Sequence, residues 1–446
     1  MDATTVRGKQ TGQLLDRLAE SRSITDELFR IVRAEALYTR PIPERHRIVF
    51  YIGHLEAFDW NLIGDHALSL GPCHKKFDRL FAFGIDPVGG GLPTDQPSDW
   101  PSLEEIKSYN LRVRHELDQL LQDQSSSAES QWRYPRETLV NVATEHRLMH
   151  AETLAYMFHQ LPAEAKVPPP TYCSVDLRLG SPTIHAGMVE VPAGTATLGI
   201  PQERKSFGWD NEFKAHSIEV PAFSVDVYKV TNGDFLKFVL AGGYDDQSMW
   251  TAPDWDWIKN QNIRHPRFWR ERRGQWFYRG MFEEFPLPLD WPVYASHAEA
   301  SAYAHFVGKS LPTESQFHRA AYGTPEGVER KYPWGDAPPN PSLGNFDFQH
   351  WDPTTVGSYP AGRSAFGVED ALGNGWEWTA SKFAPFPGFE PFPFYAGYSA
   401  NFFDGKHYVM KGASPRTGAC MLRRSFRNWF QAHYPFVYAS FRCVSN

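Results

Sequence analysis

The chain has 446 residues, too many for one ordinary hydrophobic core, so two or three domains are expected. Its net charge of −7, with both signs well represented, gives no basic footprint for nucleic acid or for an anionic membrane surface. Four cysteines (Cys73, Cys173, Cys420 and Cys443), none at CxxC or zinc-knuckle spacing, argue against a disulfide scaffold and point to a reduced, cytoplasmic chain. The polar start MDATTVRGKQTGQ does not read as a signal peptide, and no segment approaches the ~20 apolar residues of a membrane span. Aromatics make up 15% of residues, and the tryptophans concentrate after residue 200. Large rings in a sequence with little periodicity pack irregular loops, and some line ligand cavities.

Leu14, Leu15, Leu18, Ile24, Leu28, Ile31 and Val32 follow helical spacing and predict a first helix within 11–38. Pro41 and Pro43 interrupt it, and a second helix is expected from about Arg45 to Leu70. Ser102, with Glu105 three residues on, has the capping-box pattern and opens a third helix running to Leu121. A polar loop over 123–131 leads to a fourth, amphipathic helix over 138–160. Four antiparallel helices with uneven connections predict a bundle, and Pro168-Pro169-Pro170 reads as the linker after it. Beyond Tyr172 the pattern changes to short β-prone pieces, Met188–Val191 and 215–225, between Gly, Pro and Asn turns. Helices are expected at 232–241 and at 297–307, the latter capped by Ser296. The remainder reads as long, irregular, tryptophan-rich chain held by aromatic packing, without internal repeats.

On the fourth helix, His146 and His150 share the face of Leu139, Val142, Met149, Thr153 and Met157, about 6 Å apart at Cβ. One such pair is a weak signal. His54 strengthens it: it follows Gly53, where the missing Cβ permits close helix approach, and lies near the middle of an apolar helix. Three buried neutral imidazoles leave nitrogens unsatisfied unless they share a metal. Zinc with one water and iron with two or three open positions both fit three histidines. The segment His146-Arg147-Leu148-Met149-His150 lacks the glutamate of HExxH peptidases, and Glu145 and Glu152 read as surface or supporting residues rather than ligands.

Gly53-His54, the His146/His150 pair and Glu152-Thr153-Leu154 resemble the helical domain of the ergothioneine-biosynthetic sulfoxide synthases, the EgtB family. The second half is similar to the formylglycine-generating-enzyme (sulfatase-modifying-factor) fold that those enzymes carry. Its marks are Trp209-Asp210-Asn211-Glu212, Val230-Thr231-Asn232, Leu311-Pro312-Thr313-Glu314, Tyr332-Pro333-Trp334-Gly335, Gly373-Asn374-Gly375-Trp376-Glu377-Trp378 and Phe441-Arg442-Cys443. The resemblance implies an α+β, two-domain chain. A DinB-like four-helix bundle over 1–165 would bear the metal ligands, and a C-type-lectin-like, formylglycine-generating-enzyme-type domain over 166–446 would cover the substrate cavity. It further implies iron(II) on His54, His146 and His150, and O2-dependent C–S bond formation between hercynine and a cysteine or γ-glutamylcysteine thiol, giving the sulfoxide. The partners are then small molecules alone: hercynine, a thiol or selenol donor, and O2.

Several residues follow from the same likeness. Residues 427–430 match the family segment that contacts the betaine, with the tryptophan present as Trp429 and Phe430 in place of an aspartate. A trimethylammonium group favours ring faces, and the segment 383–398 supplies Phe394 together with Phe386, Phe389, Phe392, Tyr395 and Tyr398. Arg79, Arg424 and Arg427 are candidates for the donor carboxylate, alongside Arg112, Arg114 and Arg423. Many members carry a Leu-Phe-Asn-Ser-Tyr-Tyr segment where this chain reads Leu80-Phe81-Ala82-Phe83-Gly84-Ile85-Asp86, so Tyr395 or Tyr398 is expected to supply the missing hydroxyl as proton donor. The positions of the formylglycine-generating cysteines hold Thr417 and Leu422, which argues against cysteine-held copper chemistry. Two other readings stand beside the sulfoxide synthase: a selenoneine-synthase-like enzyme using another chalcogen donor, and a non-catalytic binding module.

Overall fold

The computed structural model describes residues 3–82, 92–123, 130–174, 187–202 and 206–445. The chain divides into two compact units, 1–172 and 173–446. Part of the 123–131 loop, and the tyrosine-less segment from Phe83 onward, lie outside the described residues.

Among the described residues the first unit holds four long helices and one short one: α1 (Ala3–Arg30), α2 (Ile48–Trp60), α3 (Lys75–Leu80), α4 (Leu103–Gln122) and α5 (Arg136–His159). Helix α1 packs along α5, and α2 packs against α3, α4 and α5. Ser102 and Glu105 form the expected capping box, Ser102 Oγ accepting from the Glu105 amide while the Glu105 carboxylate takes the Ser102 amide. The second helix is shorter than its sequence suggests. It ends at Trp60 and widens into a π-helical turn over Asn61–Ala67, with the Leu68 amide reaching back five residues to the Ile63 carbonyl. Helix α5 is not amphipathic: from Leu139 to His159 every residue but Met149 is buried. Glu145 and Glu152 are therefore interior residues and not part of a solvated face.

The second unit begins with β1 (Met188–Val191) and β2 (Gly194–Leu198). The stretch 215–225 is two strands rather than one, β3 (His216–Val220) and β4 (Phe223–Asp226). They join different sheets, β3 pairing with β2 and β4 with β1, with Pro221 and its missing N–H at the break. Helices α6 (Asn232–Leu240) and α8 (His297–Phe306) fall where expected, and Ser296 caps α8 in a full capping box with Glu299. The supposedly irregular stretches also hold α7 (Ala252–Asn260), α9 (Glu314–Tyr322) and an antiparallel sheet of β5 (Trp269–Arg272), β6 (Gln275–Arg279) and β7 (Glu284–Pro286). A four-stranded sheet runs in the order β10 (Asn428–Gln431), β9 (His407–Ala413), β8 (Gly375–Lys382), β11 (Ala439–Ser440). Strand β12 (Val444–Ser445) returns to β4.

Much of this unit is pinned by buried charge. Glu377 on β8, with no exposed side-chain surface, takes Arg442 through Nε and Nη2 at 2.7 Å each and Lys229 Nζ at 2.7 Å. Arg442 also donates to the carbonyls of Asp226, Val227 and Glu369. One cluster thus ties β8, the C-terminal strand and the chain after β4. Burial alone would raise the Glu377 carboxyl, but Arg442 and Lys229 outweigh it and hold it below the usual range. Replacing Glu377 by alanine leaves two cations buried and unpaired, so Glu377→Ala is expected to cost this unit about 3–5 kcal/mol. Urea unfolding followed by tryptophan fluorescence measures this, and an unchanged midpoint would contradict the pinning role.

Candidate metal centre

Helix α2 carries Phe50, His54 and Phe58 one turn apart, and Gly53 beside His54 makes room for the next layer. A Cβ on Gly53 would lie 2.5 Å from the Phe81 ring, so only glycine lets Phe81 settle there. That contact brings the Phe81 carbonyl 2.6 Å from His54 Nδ1. A carbonyl only accepts, so Nδ1 carries the proton and Nε2 keeps its lone pair. Nε2 is buried without a hydrogen-bond partner among the described residues.

From α5, His146 and His150 come within 3.1 Å of each other at Nε2. One nitrogen from each of the three histidines lies within 4.8 Å of the other two, and all three side chains are buried. Two nitrogens at right angles on an ion about 2.1 Å away stand about 3 Å apart, so the pair is spaced as neighbouring ligands. The rings are held by other rings. Phe58 stacks on His146 at 3.4 Å between centroids, Phe50 stacks on His54 at 4.8 Å, and Tyr51 lies 5.6 Å from His150.

Burial lowers the His54 pKa to about 4, against the raising effect of its Phe81 hydrogen bond, with His46 and Arg147 adding to the fall. Burial first, and then the neighbouring histidines, push His146 and His150 well below the ordinary imidazole value. All three are neutral at pH 7, the state a metal requires. A buried lone pair with no partner, a fixed tautomer and three converging neutral nitrogens fit a mononuclear transition metal.

Behind the histidines runs an ionic network that the sequence reading missed. Arg147, fully buried between the two α5 histidines in sequence, donates to Glu56 (2.8 and 3.2 Å), to Asp59 (2.7 Å) and to the Leu55 carbonyl (3.1 Å) of α2. Arg114 of α4 reaches Glu56 at 2.6 Å and Asp26 of α1 at 2.7 and 2.8 Å. Burial would raise Glu56, but Arg147 and Arg114 hold it down at about 2. The available signal was an arginine inside a histidine pair on a helix without a polar face, with Glu56 and Asp59 on the helix of His54.

Of the remaining candidates, Arg79 is on α3, Arg112 is on α4 and the others are in the second unit. Trp429 of β10 stacks on Phe383 at 4.1 Å, with Phe402 at 5.6 Å and Tyr398 edge-on at 5.4 Å. Tyr398 stacks on Trp209 at 3.9 Å, and Tyr395 lies against both rings. Burial, then the charge of Asp210, push the Tyr395 hydroxyl up to about 12. Phe394 stacks on Phe392, and Phe430 on Tyr434. Arg427 is buried and spans Glu314 and the Ala384 carbonyl, whereas Arg424 meets Glu329 at 2.8 Å in a half-buried pair. Arg79 on α3 is exposed, Arg112 pairs with Glu116 and Arg423 with Glu212. Thr417 and Leu422 are buried. Among the described residues no helix is long and apolar enough to cross a membrane.

Residues 180–446 match the sulfatase-modifying factor enzyme 1-like domain. Across 93% of the chain there is 32% identity to the hercynine oxygenase of Mycolicibacterium smegmatis, of which the match covers 94%. The hercynine oxygenase of Mycobacterium tuberculosis is 38% identical over 55% of the chain and 57% of that protein. The ergothioneine biosynthesis protein 1 of Neurospora crassa is 28% identical over 92% of the chain and 55% of that longer protein.

Two outcomes follow from the site. Gly53→Ala displaces Phe81 and with it the carbonyl that orients His54, so the affinity for Co(II) or Fe(II) is expected to fall about 10- to 100-fold. Metal titration of the folded variant reads this, and wild-type affinity would contradict it. The second concerns acid. Below about pH 6.5 the unfolded chain protonates these imidazoles while the folded chain resists down to about 4 for His54. Stability complete above pH 6.5 is therefore lost as pH falls toward 4, by about 3 kcal/mol for His54 alone. Thermal melts of the metal-free protein should show this slope, and a triple His→Gln variant should flatten it.

Proposed function

The chain belongs to the hercynine oxygenase (EgtB) family, whose second domain is of the sulfatase-modifying-factor type, and from that premise we propose that it acts in ergothioneine biosynthesis. The reaction proposed is O2-dependent, non-haem iron(II)-supported joining of the hercynine imidazole carbon to the sulfur of cysteine or γ-glutamylcysteine, with oxidation to the sulfoxide. The observation that carries this reading is the trio of buried, neutral imidazoles with the unpartnered Nε2 of His54 among them. The first unit serves as the DinB-like helical domain of the family.

Held by His54, His146 and His150, iron(II) supplies redox capacity and open positions for the thiol, hercynine and O2. The protein's own groups do the rest. The Phe81 carbonyl and the Phe50 and Phe58 rings keep the imidazoles in one orientation. Trp429, with Phe383, Phe402 and Tyr398 around it, Phe430 next to it in sequence and Phe394 four residues before Tyr398, offers ring faces to the trimethylammonium group of hercynine. Arg79 or Arg424 is the candidate for the donor carboxylate, and Arg427, bound to Glu314 and Ala384, holds the wall on which Phe383 sits. Tyr395 carries its proton at neutral pH, its pKa raised further by burial and Asp210, and with Tyr398 it is the proton donor that favours sulfoxide over plain thiol oxidation.

The deciding experiment is an aerobic assay of iron-loaded protein with hercynine and cysteine, γ-glutamylcysteine or a selenosugar, with product masses. A sulfoxide from either thiol supports the reading; a selenium product alone would replace it with the selenoneine-type enzyme. His146→Ala is expected to lose stoichiometric iron and turnover together, and retention of both would refute the ligand assignment. Trp429→Ala is expected to raise the hercynine KM about tenfold while iron content stays constant. Tyr395→Phe or Tyr398→Phe should shift product from sulfoxide toward oxidised thiol with both substrates still bound. Unchanged ratios in both variants would rule out the donor role.

A further inference from the structure

In the second unit, residues 209–212 touch both segments that carry the proposed substrate residues. On one side lies the stretch 383–399, which has no helix or strand between the end of β8 and the 3-10 turn Ala400–Phe402. Its internal hydrogen bonds are isolated turns, such as Tyr395 N to Phe392 O and Tyr398 N to Tyr395 O. A segment of this kind takes its shape from what it is fastened to. The fastening is a buried polar relay. Asn211 Nδ2 donates to Ser399 Oγ at 3.0 Å, and Ser399 in turn donates to the Asp210 carboxylate. The direction is fixed, because an amide NH2 only donates. Asp210, Asn211 and Ser399 are each at most 1% exposed. The Phe392 amide adds a backbone hydrogen bond to Asp210, and Trp209 stacks on Tyr398 at 3.9 Å. Burial pushes the Asp210 carboxyl up to about 6 against these bonds, which favour its charged form.

On the other side, Glu212 receives Arg423 Nε and Nη2 at 2.8 and 2.5 Å and Ser425 Oγ at 2.6 Å, just before β10. Arg427 also reaches the Asn211 carbonyl at 3.4 Å. Where the two sides meet, Tyr398 lies edge-on to Trp429. Four consecutive residues thus set the spacing between the tyrosine segment and the tryptophan strand.

We propose that Asp210 and Asn211, acting through Ser399, are positioning residues that hold 392–399 against β10 as a preformed aromatic wall for a quaternary ammonium substrate. This rests on the hercynine reading above. An ammonium ion gains from ring faces only when they are already arranged around it, so a wall that must order on binding loses affinity without changing the later chemistry. The relay therefore acts on KM rather than on kcat.

The test compares wild type, Ser399→Ala and Asp210→Asn as iron-loaded full-length proteins. Hydrogen exchange of the 392–399 amides, hercynine KM and kcat, and iron content are measured on each. Ser399→Ala is expected to exchange about tenfold faster over 392–399 and to raise KM about fivefold to tenfold, with kcat within about twofold and iron content intact. Asp210→Asn keeps an oxygen that accepts from Ser399, so it should stay near wild type in both. Unchanged exchange in Ser399→Ala overturns the proposal, as does faster exchange with an unmoved KM. A raised KM in Asp210→Asn with 392–399 still protected also overturns it, because the charge and not the clasp would then be acting. If wild type does not turn over hercynine, the functional reading falls on its own. KM is then replaced by the dissociation constant for tetramethylammonium, read by tryptophan fluorescence, with the same expectations.

Discussion

Arg147 is the constraint on which the first unit depends. A guanidinium with no exposed surface survives in a helical interior only if opposite charge and acceptors lie at hand. Here they come from α1 and α2, and through Glu56 and Arg114 the chain of charge extends to α4. Sliding α5 by one turn against α2 would strand all of these groups. The register that satisfies Arg147 is the same register that sets His146 and His150 opposite His54. Hydrophobic packing alone tolerates neighbouring registers, because leucines and valines exchange at little cost. A buried ion network does not.

The second unit uses the same device in a different setting. Its sheets are short and its connections long, so backbone pairing fixes little of it. Glu377 with Arg442 and Lys229, and Glu212 with Arg423 and Ser425, are the fixed points, and the tryptophans fill the space between them. Three of the sequence marks that identify this domain turn out to be such pins: Glu212, Glu377 and Arg442. The most recognisable residues of the domain maintain its shape. What distinguishes this chain chemically sits on less regular ground, in rings such as Trp429 and Tyr398.

Which parts of this were legible in the sequence follows from range. Caps and periodicity are local, so Ser102 with Glu105, Ser296, and β1 could be read directly. His54, His146 and His150 could be gathered because glycine at 53 and the four-residue spacing are local as well, and the likeness to a family supplied the long-range link. The Phe81 carbonyl could not be found that way, since a backbone oxygen 27 residues distant leaves no mark on composition. Nor could the burial of α5: Glu145, Arg147 and Glu152 look like a solvated face unless their partners on other helices are known. The run 215–225 is β-prone throughout, and nothing local in it tells that the halves on either side of Pro221 belong to different sheets.

The phenylalanines of α2 have a consequence for how long an ion would stay. Phe58 lies nearly parallel to His146 at 13° and Phe50 to His54 at 21°, so neither imidazole can swing aside without displacing a stacked ring. In a flexible site an ion leaves stepwise, one ligand rotating away while the others hold. Here His146 of α5 is pinned under Phe58 of α2, so freeing it requires the two helices to part, and parting them breaks the Arg147 contacts too. Residence time would then be governed by helix separation rather than by the strength of any single bond. A strong chelator would gain little from its concentration, because the slow step precedes its arrival.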